Sequence, residues 1–169
     1  MNVTVRQFET LRDLIYRSLG LHFEDTKFEF LAKRVEKRVA ALALAKVEDY
    51  IFHLRFLDQE GREMHALANL ITTNETYMFR EFEQLQAFAD HCLPDIIARK
   101  ERQGQRQIRI WSAGCSSGEE PYTLAMTVKE AGTVLDGVDV RILATDLSER
   151  MLEKARAGVY AEETLADVA

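Results

Sequence analysis

Apolar residues recur every three or four positions from Thr4 to Ile71, the spacing of one buried helical face, and two short apolar runs of strand length come later. Phe8, Leu11, Ile15 and Leu19 share the face of a first helix, which a Thr4-x-x-Gln7 capping box starts and Gly20 ends. A second helix follows Asp25, with Phe28, Leu31, Val35, Val39 and Leu42 on one side. Residues 47–57 and 63–71 predict two more, separated near Gly61, and the cap-prone Thr72-Thr-Asn74 then breaks the pattern. A longer helix is expected over 77–93, leading to Pro94, another helical turn and the polar run 100–107. Residues 108–113 and 138–145 read as strands with a helix between them, the order of a βαβ unit. Three segments follow: a helical domain over 1–73, a linker and bridging helix over 74–107, and an α/β part over 108–169.

The stretch 108–122, Ile-Arg-Ile-Trp-Ser-Ala-Gly-Cys-Ser-Ser-Gly-Glu-Glu-Pro-Tyr, carries most of the chemical information. A strand runs into a glycine turn, and Pro121 is expected to open a helix, where a missing N–H costs nothing. Open α/β sheets bind ligands at such carboxyl ends of parallel strands. The glycines read G-x-x-x-G, and no Gly-Lys-Ser/Thr follows, so neither the dinucleotide fingerprint nor the P-loop is present. Glu119 and Glu120 sit where a helix N-terminus favours anions, which argues against a pyrophosphate. Two acids there suit a ligand with hydroxyls and a positive charge, such as S-adenosylmethionine. Gly114 would let the backbone approach it closely. An ordinary strand–turn–helix with a polar entrance explains the turn equally well.

Asp146 ends the second strand, the position from which an acid commonly accepts ribose hydroxyls. It could equally serve as a turn residue before a helix capped by Ser148. The interval from Gly118 to Asp146 exceeds the roughly 20 residues of the dinucleotide pattern, a further point against NAD.

Two other clusters have competing readings. Lys33, Arg34 and Lys37 fall opposite the apolar stripe of the second helix, with Arg38 to one side. They form either a solvated face or an electrostatic dock for an acidic partner. Asn74, Thr76 and Arg80 are a helix start with capping groups, or a loop that converges on a ligand.

Three segments, 111–122, 144–146 with 153–160, and 72–81, together resemble the signatures of CheR-type chemoreceptor glutamate methyltransferases, in that family's order. Met78 stands where the family usually has Phe, and Ser117 where it often has Thr. The resemblance implies an α plus α/β chain: an N-terminal helical bundle, then the first βαβ part of a Rossmann-like class I methyltransferase domain, incomplete. It implies S-adenosylmethionine as cofactor, S-adenosylhomocysteine as product, and cofactor contacts from Asn74, Thr76, Arg80, Gly114, Glu119, Glu120 and Asp146. Arg80 would lie near the transferred methyl as the catalytic residue. Lys33, Arg34, Lys37 and Arg38 would face the acidic methylation helices of a chemoreceptor.

Composition agrees with a cytoplasmic, metal-free protein. The 169 residues, 47% of them hydrophobic, allow one large or two small domains. No apolar run approaches the ~20 residues of a membrane span, and the opening Met-Asn-Val-Thr-Val-Arg is not a secretory signal. Cys92 and Cys115 lack ligand spacing, and His22, His53, His65 and His91 are scattered. A net charge of −6 argues against general nucleic-acid binding. Two parallel strands leave open edges, so the sequence reads as a fragment ending at Ala169, with little or no activity of its own and a tendency to self-associate. The alternatives are a non-catalytic module that binds receptor or cofactor and, more remotely, a nucleotide-dependent oxidoreductase.

Overall fold

The computed structural model describes residues 3–165, apart from the side chains of residues 133 and 134; residues 166–169, the tail of the expected α/β part, lie outside the described residues. The chain divides into two compact units, Met1–Thr73 and Asn74–Ala169. The segment 74–107, expected to be a linker and bridging helix, falls within the second unit.

The first unit is helical: α1 (Val5–Leu19), α2 (Phe28–Ala41), α3 (Val47–Phe52), continued by a wide π-helical turn at His53–Leu57, and α4 (Arg62–Ile71). Thr4 and Gln7 form the reciprocal capping box at the start of α1, and Gly20 ends that helix with φ +73°. Leu11, Ile15, Leu31, Val35, Val39, Tyr50 and Leu67 lie at the centre of one core. Truncating any of these leucines to alanine should cost about 2–5 kcal/mol, because the lost contacts are replaced by a cavity.

Arg38 departs from the surface role expected of it. Its guanidinium donates to both Glu63 oxygens, at 2.8 and 2.7 Å, and the Tyr50 hydroxyl donates to the same carboxylate at 2.8 Å. Glu63 is buried, so this cluster joins α2, α3 and α4 from inside. The hydrogen bonds to Glu63 hold the Arg38 pKa above its usual value, and burial chiefly pushes up that of Tyr50.

The second unit opens on an irregular segment over 74–81. The expected helix over 77–93 begins only at Phe82, because Phe79 and Glu81 adopt left-handed backbone conformations, φ +59° and +55°. From there α5 (Phe82–Ala87) passes through a π-helical turn at Phe88–Cys92 into α6 (Leu93–Arg102). The further helical turn expected after Pro94 is present as α6, with Pro94 in its first turn. The wider turn before it absorbs the missing N–H and the ring's crowding of the preceding turn.

Strands β1 (Gln107–Ala113) and β2 (Asp139–Thr145) pair in parallel, Ile110 opposite Ile142 and Ala113 opposite Thr145. Between them runs α7 (Glu119–Glu130), and α8 (Glu149–Ala157) follows β2. Gly118, with φ +100°, precedes α7, so Pro121 is its third residue rather than its first. It still lies in the first turn, whose N–H groups have no helical acceptor. Ile108 lies in a small core with Leu93 and Ile97, against which Ile110 also packs. Side chains alternate along the strand, and the opposite face leaves Trp111 68% and Leu143 62% exposed.

Candidate functional site

The turn after β1 meets the end of β2 through consecutive backbone donors. Gly114 and Cys115 both donate N–H to the Thr145 carbonyl, at 2.8 and 2.9 Å. Ser116 donates its N–H to Asp146 Oδ2 at 2.8 Å, while Asp146 Oδ1 accepts from Ser148 N–H at 2.7 Å. Gly118 N–H then returns to the Cys115 carbonyl at 2.9 Å. Three of the turn's donors are thus satisfied by Thr145 and Asp146 at the end of β2 and a fourth by the turn itself, which fixes its shape.

Gly114 has φ +82°, and nothing lies within 4 Å of where a side-chain carbon would stand, so the backbone there borders open space. Ser116 takes a left-handed conformation, φ +47°, that its side chain disfavours. Among the described residues the other non-glycine residues with positive φ are Ala43, Phe79 and Glu81. Three of these four lie in the glycine turn or in the 74–81 segment, and backbone strain of this kind concentrates at binding sites.

Of the residues singled out in the sequence, Asn74 and Asp146 are brought together through Ser116. The Ser116 hydroxyl donates to the Asn74 carbonyl at 3.0 Å while its N–H meets Asp146. Glu120 is exposed and accepts from the buried Ser112 hydroxyl at 2.7 Å. Glu119 turns the other way. It is 4% exposed, and the Ser117 hydroxyl reaches its two oxygens at 2.8 and 3.1 Å, so it braces the turn from inside. Thr76 is half-buried. Arg80 is exposed; its guanidinium donates to the Glu75 carbonyl and stands 5.9 Å from the Tyr77 ring centre.

The segment bearing Asn74, Thr76 and Arg80 is anchored to α7. Thr123 Oγ1 accepts Phe79 N–H at 3.2 Å and donates to the Glu119 carbonyl at 2.7 Å, with Met78 buried beside it. Burial chiefly, with the Asp146 charge second, pushes the Cys115 thiol pKa up, so this cysteine stays protonated. It is a packing residue rather than a nucleophile.

Ser112, Ser116 and Tyr160 were not singled out in the sequence. Ser112 and Ser116 lie within the 111–122 segment and Tyr160 ends the 153–160 segment, but neither segment tells which groups these side chains meet. A separate open cleft of about 750 Å³ lies at the other end of the strands, among Arg99, Lys100, Arg106, Arg109 and Asp139. It borders the amino ends of the strands, away from where such sheets bind cofactors.

In the first unit, Lys33 and Lys37 are exposed. Arg34 is half-buried, its guanidinium 3.6 Å over the Phe30 ring and 3.4 Å from the Leu70 carbonyl. The expected basic stripe therefore reduces to two exposed lysines, Lys33 standing 3.9 Å from the Glu29 carboxylate, beside one stacked arginine. Among the described residues no group of His, Cys, Asp or Glu is arranged to hold a metal, and no helix is long and apolar enough to cross a membrane.

Residues 6–72 match the family described as CheR methyltransferase, all-alpha domain, and residues 74–169 match CheR methyltransferase, SAM binding domain. The chain is 37% identical over 163 residues to chemotaxis protein methyltransferase 2 of Vibrio cholerae, covering 96% of this chain and 55% of that protein. It is 36% identical over 162 residues to chemotaxis protein methyltransferase 2 of Pseudomonas aeruginosa, covering 96% and 54%. It is 34% identical over 158 residues to the chemotaxis protein methyltransferase of Escherichia coli, covering 94% and 51%. The chain thus spans about half the length of the curated relatives it matches.

Proposed function

The chain belongs to the CheR methyltransferase family, and from that premise we propose that it serves S-adenosylmethionine-dependent methylation of glutamate side chains on chemoreceptors. The products are a glutamyl methyl ester and S-adenosylhomocysteine. The observation that carries this reading is the hydrogen-bond chain from Asn74 through Ser116 to Asp146, which joins three segments of the second unit at the strand ends.

The residues fit the cofactor. Open space beside Gly114 leaves room for close approach to the backbone. Each Asp146 oxygen accepts one backbone N–H, and a carboxylate oxygen has acceptor capacity for a further donor such as a ribose hydroxyl. Glu120, exposed and held by Ser112, offers a carboxylate to an ammonium group. Glu119 is occupied by Ser117 and supports the turn instead.

When bound, the cofactor supplies an electrophilic methyl on a sulfonium. A receptor glutamate, with an ordinary pKa of about 4.3, is already a carboxylate near neutral pH and needs no general base. The protein's task is then in-line positioning and partial exclusion of water. Arg80 is the residue we assign to orienting that carboxylate. Asn74 and Thr76 complete the near wall of the cleft. Lys33 and Lys37, with Arg34 beside them, would meet the acidic methylation helices of the receptor.

A second reading, a binding module without turnover, draws support from the sheet face that leaves Trp111 and Leu143 exposed. Such a face also invites association with another copy. Transfer of a labelled methyl group to a receptor cytoplasmic domain, released as methanol by base, tests both readings. Transfer by the full-length gene product is expected, with little or none by the 169 residues alone. Absence of transfer by the full-length product would leave only the binding module, and full transfer by the 169 residues would remove it.

A further inference from the structure

The residues after α8 touch both sides of the proposed cleft. The Tyr160 hydroxyl donates to the Ser117 carbonyl in the glycine turn at 2.8 Å. Four residues later, the Thr164 carbonyl accepts Met78 N–H at 3.2 Å, in the segment that carries Asn74, Thr76 and Arg80.

Packing leaves this arrangement little freedom. A side-chain carbon on Gly118 would stand 2.6 Å from Tyr160 Oη and 2.8 Å from Ala155 Cβ, so only glycine admits the tyrosine. The Tyr160 ring meets Tyr122 edge-on at 5.6 Å, and a side-chain carbon on Gly158 would stand 2.7 Å from the Tyr122 hydroxyl. Two tyrosines thus interlock with two glycines across α7 and α8. Burial, and then the neighbouring Glu119 carboxylate, push the Tyr160 pKa up to about 12, so its hydroxyl remains a donor at any physiological pH.

We propose that Tyr160 is a positioning residue for cofactor binding, a clasp whose hydroxyl fixes the glycine turn while the segment it begins fixes the opposite wall of the cleft through Met78. The inference rests on the cofactor reading given above. The Ser117 carbonyl belongs to the peptide that leads into Gly118, whose N–H closes the turn on Cys115, so holding it sets the orientation of the turn. Tyr160 itself touches no reacting atom.

The test is Tyr160→Phe in the full-length gene product, which keeps the ring and deletes the hydrogen bond. S-adenosylhomocysteine affinity should fall about tenfold, the upper range for one neutral hydrogen bond. The KM for S-adenosylmethionine should rise in parallel, with kcat at saturating cofactor within about twofold of wild type. A merely structural role would shrink the folded fraction, lowering kcat and leaving KM alone. Should circular dichroism show that Tyr160→Phe does not fold, amide exchange at Gly118 in the wild-type protein replaces it: the clasp predicts slow exchange there even without S-adenosylhomocysteine, and fast exchange would overturn it. Wild-type protein that fails to bind S-adenosylhomocysteine would sink the cofactor reading itself. Wild-type protein that binds, beside a folded variant with unchanged affinity and KM, would overturn the clasp alone.

Discussion

The carboxylate of Asp146 accepts the backbone N–H of Ser116 at 2.8 Å, and so ties the glycine turn after β1 to the end of β2. Its other oxygen takes Ser148 N–H, so one side chain orders the turn on one side and the start of α8 on the other.

Replacing Asp146 by Asn should therefore destabilise the second unit even without ligand. An amide offers one oxygen where two acceptors are needed, and one N–H loses its partner. Leaving a partly buried donor unsatisfied costs about 1–3 kcal/mol. Denaturant unfolding, with amide exchange at Ser116 and Ser148 as the local readout, measures it. Unchanged exchange at both amides would show that the turn holds its shape by other means.

Arg38→Ala should destabilise the first unit by about 3 kcal/mol, since it strands the buried Glu63 carboxylate with Tyr50 as its remaining side-chain donor. Lys37→Ala, on the same helix but exposed, should change stability by less than about 0.5 kcal/mol. Thermal unfolding of the two variants side by side makes the comparison. Equal stability in both would mean that the bidentate pair contributes nothing.

Lys33→Glu combined with Lys37→Glu should slow receptor methylation while leaving S-adenosylhomocysteine binding unchanged. The wild-type rate should also fall with added salt, because exposed charges are screened beyond about 8 Å at physiological ionic strength. A double variant that methylates receptor at the wild-type rate would reduce these lysines to a solvated face.

Alkaline pH should weaken the fold through the buried Tyr50 and the half-buried Tyr160. Tyr160 binds its proton more tightly folded, up to about 12, than at the ordinary value of 10.0 expected when unfolded. Its contribution is therefore complete below about pH 10 and is lost as pH rises towards 12. Tyr50 is shifted in the same direction and adds to the loss. Unfolding free energy measured from pH 8 upward should hold level and then drop, and Tyr160→Phe should remove part of the drop. A flat profile in the wild type would contradict the burial assigned to both phenols.

Much of this architecture was legible in the sequence, because helix and strand periods are set by burial. The Thr4–Gln7 box, the Gly20 stop and the Leu31/Val35/Val39 face follow from local chemistry alone. The strands and the glycine turn were legible for the same reason. What failed depends on tertiary partners. Phe79 and Glu81 carry no local sign of a left-handed backbone, so the helix was expected to start too early. Arg38 finds Glu63 on another helix, a pairing that no helical wheel displays. Glu119 and Glu120 are adjacent and chemically alike, yet one is buried under Ser117 and the other exposed beside Ser112. Tyr160 acts on a carbonyl in a turn distant in sequence, and its aromatic character alone gave no hint of it.

Calorimetric titration of S-adenosylhomocysteine into the full-length gene product, with Glu120→Ala and Asp146→Ala beside it, tests the placement of the cofactor most directly. Wild-type protein should bind, and each variant should bind about tenfold to a hundredfold more weakly, the loss of a hydrogen bond to a charged group. Unchanged affinity in both variants, with the fold intact by circular dichroism, would contradict a cofactor site built from the ends of these two strands.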